Sequence, residues 1–419
     1  MKSLLFIRNV LLAIVILFIM IIGVSRYYSE YISSGRLVEA RKIDTSSWDE
    51  PYLNQPLKDK YKIIFITTHG AEWIEAKYVK KAAEKMGWEV KIIYYSTQGH
   101  ENEILAFDPD FIITTIGNDN FHISPEITDH RSSIFGQFYW AINTNIRDSF
   151  TLPTLGFFYE DYFDQDLDPN SRLQNIINIS DGLLITAKEI KILQEYYLKI
   201  GEPFYALRTV PTVNEKSYEF TSPDFITIAG SLKDSKTNAK NFKTTLNNLN
   251  KEGILKAYGN KIYYKSTPEA YQGAINDPDK LLDKLNKNGI VLVVHRKNHF
   301  NNGIPTNRIM EAAAANTLII SDKNPFVVEE FGDSVLYFDA NVDSETMTSQ
   351  ILGHYKWAND NPDKARELAN KAHAIFKQKF TSEKDLKRIA RMHEKILTDR
   401  SVKPSMPQAA MQSSGPMAE

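Results

Sequence analysis

The sequence predicts an α/β protein in which two parallel-sheet domains follow one another. Three observations carry that expectation. Short runs of β-branched and aliphatic residues alternate with helix-length amphipathic segments, the pattern of a parallel sheet covered on both faces. The alternation runs twice, with a pause at Thr209-Val210-Pro211-Thr212-Val213-Asn214 that sets the boundary between 210 and 224. The chain has 419 residues, 42% of them hydrophobic, which suits two cores plus extensions rather than one domain.

The N-terminus differs in kind. Residues 10–24 are uncharged and apolar apart from Gly23, with Arg8 before them and Arg26, Tyr27 and Tyr28 after. Arg8 can snorkel and the tyrosines suit a membrane interface, although the run is short of the about twenty residues of a full span. A cleaved signal peptide with Gly23-Val24-Ser25 as its small-x-small site is the rival reading. The flanking Arg26 and tyrosines favour an uncleaved single-pass anchor over 1–25. The lysine and arginine distribution leans towards a cytoplasmic body. Residues 26–59 are polar and read as a stalk.

The first domain, 60–213, offers strands at 62–67, 90–95, 111–116, 153–158 and 182–186, with helical periodicity at 73–86 and 101–107. The second, 214–380, offers strands at 225–229, 254–258, 290–294, 318–321 and 335–338. Its helices fall at 238–251, 277–286, around Arg308, and through most of 344–380. A charged helix at 381–399 and a patternless, disordered tail at 400–419 close the chain.

Composition excludes several chemistries. The formal net charge of −2 supplies no basic field for nucleic acid, and the absence of cysteine removes disulfides, thiolate metal sites and cysteine nucleophiles. The phosphate-loop, zincin and nucleophile-elbow motifs are missing. No Asp-x-Asp pair is suitably placed to hold a metal at a nucleotide, so a metal-independent site is expected.

Ligands of open parallel sheets bind beyond the carboxyl ends of the strands, so residues at those ends carry most weight. The most informative segment is 303–322, GIPTNRIMEAAAANTLIISD. Its Gly303-Ile304-Pro305-Thr306 turn opens a short helix, and a turn that delivers backbone N–H groups with a helix N-terminus is an anion site. Glu311, one turn further in, can reach sugar hydroxyls. Arg308 either binds phosphate or holds Glu311, which is itself either a ligand or the other half of that internal pair. Together they suggest a pocket for a sugar-bearing nucleoside diphosphate.

Three other strand ends of this domain add candidates. Gly230, Ser231 and Lys233 follow the first strand, with Lys236 more plausibly solvated. Tyr258 precedes Gly259-Asn260 and either stacks on a base or closes a plain turn. His295 and Arg296 leave an apolar strand abruptly, which favours a functional loop. In the first domain, His69 and Gly70 follow the first strand, Asn118 and Asp119 the third, and Glu160-Asp161 the fourth. His69 and Glu160 are the catalytic candidates; Gly70, Asn118 and Asp119 are placed to face an acceptor.

Residues 303–322 and the segment after them resemble the C-terminal domain of GT-B glycosyltransferases, most of all the group-1 and spore-maturation (CgeB-like) branch. The matching positions are Gly303, Pro305, Thr306, Arg308, Glu311, Ala312, Ser321, Asp322, Glu329 or Glu330, Gly332, Asp333 and Ser334. The likeness is specific over about 290–340 and architectural over 60–289. The wider group carries Glu-x7-Glu; the earlier position here is Gly303, as in the CgeB-like pattern.

The resemblance implies two Rossmann-like domains whose parallel sheets face each other across a cleft. The C-terminal domain would hold a nucleotide-diphosphate sugar, a co-substrate rather than a cofactor, with Glu311 on the donor ribose. The N-terminal domain would hold a glycan or lipid-linked acceptor. With the anchor, this describes a single-pass membrane glycosyltransferase on the cytoplasmic face of a bacterial inner membrane. A sugar-nucleotide epimerase of the same fold and a non-catalytic sugar-nucleotide-binding protein are the alternatives.

Overall fold

A computed structural model describes residues 55–67, 72–94, 103, 106–114, 154–158, 182–185, 205–211, 213–230, 239–301 and 303–400. The expected anchor, the stalk up to residue 54 and the tail from residue 401 lie outside these residues. Among the described residues, no helix is long and apolar enough to cross a membrane.

The first sheet contains β1 (Lys62–Thr67), β2 (Glu89–Tyr94), β3 (Phe111–Thr114), β4 (Thr154–Phe158), β5 (Gly182–Ile185) and β6 (Tyr205–Arg208), with α1 (Glu72–Lys85) between β1 and β2. Its order is β2-β1-β3-β4-β5-β6 and every pairing is parallel. The sequence reading missed β6. Its four residues, Tyr-Ala-Leu-Arg, are not a continuous apolar run and end in a charge.

The second sheet contains β7 (Phe225–Ala229), β8 (Leu255–Tyr258), β9 (Gly289–Val293), β10 (Leu318–Asp322) and β11 (Leu336–Phe338). It is also wholly parallel, in the order β8-β7-β9-β10-β11. Its helices are α2 (Ala239–Lys251), α3 (Pro278–Asn288), α4 (Lys297–Asn301), α5 (Asn307–Ala314), α6 (Pro325–Phe331), α7 (Ser344–Asp360) and α8 (Pro362–Lys379). Cross-connections reverse direction between β7 and β9, which makes the carboxyl edge of those two strands the topological switch point.

Local chemistry explains the element ends. Asp277 caps α3 by accepting from the N–H groups of Asp279 and Lys280, with Pro278 in the first turn. Gly289 ends α3 and starts β9 at φ +83°, where an added Cβ would lie 2.0 Å from the Ser222 carbonyl, so only glycine fits. Asp343 and Asn324 cap α7 and α6 in the same manner as Asp277.

Two apolar layers sandwich the second sheet. Phe242, Leu246, Met347 and Ile351 of α2 and α7 cover one face. Leu282, Leu285, Met310, Ala313, Ala372 and Phe376 of α3, α5 and α8 cover the other. The alanine run 312–315 is fully buried, which lets α5 lie close on the sheet.

The final helix, α9 (Ser382–Arg400), belongs to the other half of the molecule. Leu386, Ile389, Met392 and Ile396 join Phe65, Val79, Trp88 and Phe111 in the core of the first sheet. The outward and returning chain segments meet where they cross: Val213 bridges Thr381, and the Thr209 hydroxyl donates to Asp385 at 2.8 Å. Arg388 donates to the Arg208 carbonyl at 2.5 Å.

His393 on α9 makes this docking sensitive to acid. Its ring lies 4.8 Å from that of Phe111 and 6.2 Å from that of Tyr61, and neither nitrogen is hydrogen-bonded. Burial pushes its pKa from 6.5 down to about 3; Lys58 adds to the shift and Asp110 opposes it. The unfolded chain therefore takes up this proton first. The neutral ring's contribution is complete above pH 6.5 and is lost as pH falls towards 3. The slope is about 1.4 kcal/mol per pH unit, or about 2 kcal/mol by pH 5. Denaturant unfolding at pH 7 and pH 5 should show this loss, and His393→Leu should flatten it. An equal slope in the variant would assign the acid sensitivity elsewhere.

Candidate functional site

The carboxyl edge of the second sheet collects most of the described candidates. β7 ends at Gly230, whose φ is +108° and whose added Cβ would lie 3.7 Å from Arg308 Nη2. The strand end and the α5 guanidinium are thus neighbours. The Gly230 carbonyl accepts from the Tyr264 hydroxyl at 2.8 Å, and an added Cβ on Gly259 would lie 2.8 Å from that same carbonyl. This corner is built from close backbone approach.

The Gly303 turn is held by Asn324, just past the carboxyl end of β10. Gly303 has φ +60°. The Asn324 amide donates to the carbonyls of His299 and Ile304 at 3.0 and 3.2 Å, and the Ile304 N–H donates to His299 at 2.9 Å. Ile304 and Pro305 are buried and Thr306 stands at the N-cap of α5. The Thr306 hydroxyl does not cap the helix and has no hydrogen-bond partner in the protein.

Arg308 and Glu311 form an ion pair within α5, with side-chain exposures of 17% and 2%. They meet as charges, but Arg308 Nε and Nη1 and Glu311 Oε2 are all left without a hydrogen bond. Burial raises the Glu311 carboxyl above its ordinary pKa, and the Arg308 charge works against that rise. The helix is fixed from behind: His373 on α8 donates Nδ1–H to the Ala313 carbonyl at 2.8 Å.

His295 departs from the loop reading. It is fully buried, and both oxygens of Asp322 engage it: Nδ1 meets Oδ1 at 2.5 Å and the backbone N–H donates to Oδ2 at 2.8 Å. The residues that follow turn into α4 rather than a loop. A carboxylate only accepts, so this arrangement puts the proton on Nδ1 and leaves Nε2, which has no partner in the protein, as the free nitrogen.

For Tyr258, whose sequence left two readings open, the structure favours packing. It is buried, and its hydroxyl lies 3.4 Å from Asn288 Nδ2, beside the start of β9. That interaction takes the hydroxyl away from the carboxyl edge, so the ring packs rather than offering a face to a base. Asn260 caps the following turn by accepting from the Ile262 N–H. Arg296 is half-buried at the end of β9.

Ser231, Lys233, Lys236, His69, Gly70, Asn118, Asp119, Glu160 and Asp161 lie outside the described residues. Among the described residues, no cluster of three or more histidine or acidic side chains could hold a metal ion.

Sequence reasoning missed three contributors. Asp322 was read as the end of a strand, yet it clamps His295; its place at a carboxyl edge, one strand from an abrupt histidine, was the available signal. Asn324, just past β10, holds the Gly303 turn through its side-chain amide. Tyr78, on α1, is fully buried with its hydroxyl unpartnered, and it packs in the apolar cluster of the second sheet with Leu281, Leu282 and Ile309. Nothing in its own segment signals a contact with a residue more than two hundred positions away.

Residues 240–391 match the family model described as Glycosyl transferase-like. No curated protein sequence matches the chain. A sucrose-phosphate synthase from Thermosynechococcus elongatus superposes with a TM-score of 0.53 at 11% identity, over 81% of this chain and 100% of its own. A glycosyltransferase from Rickettsia africae ESF-5 superposes with a TM-score of 0.51 at 12% identity, over 82% of this chain and 100% of its own. The chain therefore has a GT-B-like α/β fold with parallel sheets, and its residues 240–391 are similar to a glycosyl transferase-like family.

Proposed function

We propose that this protein is a glycosyltransferase that takes its sugar from a nucleotide-diphosphate sugar bound at the carboxyl edge of the second sheet. One observation carries the reading. Thr306 Oγ1, Arg308 Nε, His295 Nε2 and Ser321 Oγ are buried without partners, Arg308 Nη1 and Glu311 Oε2 meet only each other as charges, and all lie on or beside α5 and the ends of β9 and β10. Buried polar groups are almost always satisfied, so a concentration of orphans at a switch point marks a place where a polar ligand supplies the missing bonds.

The chemistry assigns roles. Glu311 accepts from ribose hydroxyls. Arg308, with the N–H groups at the Thr306 cap, offsets the charge that develops on the departing diphosphate. Gly230 lets the donor approach the β7 backbone. On their places in the sequence alone, His69 or Glu160 is assigned as the base towards a glycan or lipid-linked acceptor, Gly70, Asn118 and Asp119 as acceptor contacts, and Ser231, Lys233 and Arg296 as diphosphate contacts. The matched motif from Gly303 to Ser334 supports a place in the CgeB-like branch.

A thermal-shift screen of the full chain in detergent, against UDP, GDP, ADP, CMP and their common sugar conjugates, tests the reading. A ligand at a hundred times its Kd stabilises the native state by about 2.7 kcal/mol. Selective stabilisation by one nucleotide is expected, and its persistence in EDTA would support a site that uses no metal. No response to any nucleotide from a folded sample would overturn the reading. We also read residues 10–24 as a membrane anchor, on their uncharged apolar run; release of the intact chain from membranes by alkaline carbonate would refute it.

A further inference from the structure

The orphaned polar atoms of the site are not confined to the second sheet's own elements. The Tyr78 hydroxyl belongs to α1, which follows the first strand of the other sheet, yet it is buried in the cluster formed by α3 and α5. It has no hydrogen-bond partner in the protein. After burial, the charges that act on it most are those of Glu311 and then Arg308, with Asp279 and Tyr218 behind them. Tyr78, from the other half of the molecule, thus shares an apolar cluster with Ile309 and Met310 of α5, the helix that carries Arg308 and Glu311, whose side chains also have unmet hydrogen bonds. Apolar packing of the ring does not account for the hydroxyl, because phenylalanine would pack equally well without leaving a buried group unsatisfied. Lys81 on α1 pairs with Asp279 at the N-terminus of α3, a second contact between these two helices.

We propose that Tyr78 is the first domain's contribution to the nucleotide site: its hydroxyl hydrogen-bonds a ribose hydroxyl of the nucleoside diphosphate held by Glu311 and Arg308. The inference rests on the reading of that pocket as a nucleotide site. A phenol both donates and accepts, so it can share one hydroxyl of a cis-diol while the carboxylate accepts from the other. The bound nucleotide then ties α1 to α5. Ligand binding and the seating of the two sheets against each other become one event.

The test is calorimetric titration of full-length wild type, Tyr78→Phe and Glu311→Gln with UDP, GDP, ADP and CDP, then with the 2′-deoxy and 3′-deoxy forms of whichever binds. Tyr78→Phe is expected to melt no lower than wild type when unliganded, since it removes an unsatisfied hydroxyl. It should nevertheless bind the ribonucleotide about 2- to 13-fold more weakly, the worth of one net hydrogen bond. Against one of the two deoxy analogues the difference between Tyr78→Phe and wild type should vanish. Undiminished ribonucleotide affinity in Tyr78→Phe, or an equal loss against all three ligands, overturns the inference. If Glu311→Gln weakens binding while Tyr78→Phe does not, the nucleotide site stands and the role of Tyr78 falls. If wild type binds none of the four diphosphates, both fall together.

Discussion

Glu311→Gln should weaken nucleotide binding by about 10- to 100-fold, the value of hydrogen bonds to a charged acceptor at about 1.5–3 kcal/mol. The amide keeps the shape of the side chain inside α5, where the carboxylate is 2% exposed, so the loss arises from charge and not from a cavity. The substitution also leaves Arg308 without its counter-charge. Removing one partner of a buried pair costs about 3–5 kcal/mol when both are enclosed. Arg308 retains 17% side-chain exposure, so about 1–3 kcal/mol is expected here, read as a lower melting temperature. The double variant Arg308→Met/Glu311→Leu separates the two effects. It removes both charges, should recover much of the stability, and should bind no better than Glu311→Gln. Wild-type affinity in folded Glu311→Gln would remove the carboxylate from the site. Recovery of binding in the double variant would show that the pair holds α5 in place and contacts no ligand.

How much of this was legible in the sequence follows from which interactions are local. β1, β7, β9 and β10 are dense apolar runs, and burial on both faces of a parallel sheet demands that density, so they could be read directly. The motif from Gly303 to Glu311 was legible because one turn and one helix supply all its parts. β6 was hidden because four mixed residues carry no period. The placement of Tyr258 was ambiguous because a strand-end tyrosine is equally compatible with a ligand and with the core; its partner, Asn288, lies 30 residues on. The His295–Asp322 pair was missed for a related reason. Adjacent parallel strands bring the ends of β9 and β10 together, and a histidine after an apolar strand looks the same whether it enters solvent or a buried carboxylate. Tyr78 is the extreme case: its contacts depend on how α1 meets α3 and α5, which no periodicity within α1 encodes.

The second large effect concerns Asp322. Its carboxylate has no exposure and accepts from two groups of a single residue, so it fixes both the backbone and the ring of His295 where β9 ends. Asp322→Ala leaves a buried N–H and a buried imidazole N–H unsatisfied and should cost about 3–5 kcal/mol in denaturant unfolding. Asp322→Asn is subtler. One amide oxygen keeps the bond from the backbone N–H, while the amide NH2 now faces Nδ1. The ring must then present Nδ1 as an acceptor and carry its proton on Nε2. Exchanging a charge-assisted bond for a neutral one should cost about 1–2 kcal/mol. Nitrogen NMR of labelled histidine should show the proton moving from Nδ1 to Nε2. That shift converts the orphaned Nε2 from an acceptor into a donor without moving any helix. A ligand group that donates to Nε2 in the wild type, such as a sugar hydroxyl, would lose affinity in Asp322→Asn; one that only accepts, such as a phosphate oxygen, would gain it. The sign of the affinity change thus reports which part of the bound donor meets His295. If both variants stay within 0.5 kcal/mol of wild type, about the scatter of neutral surface changes, the pair does not hold the strand ends together.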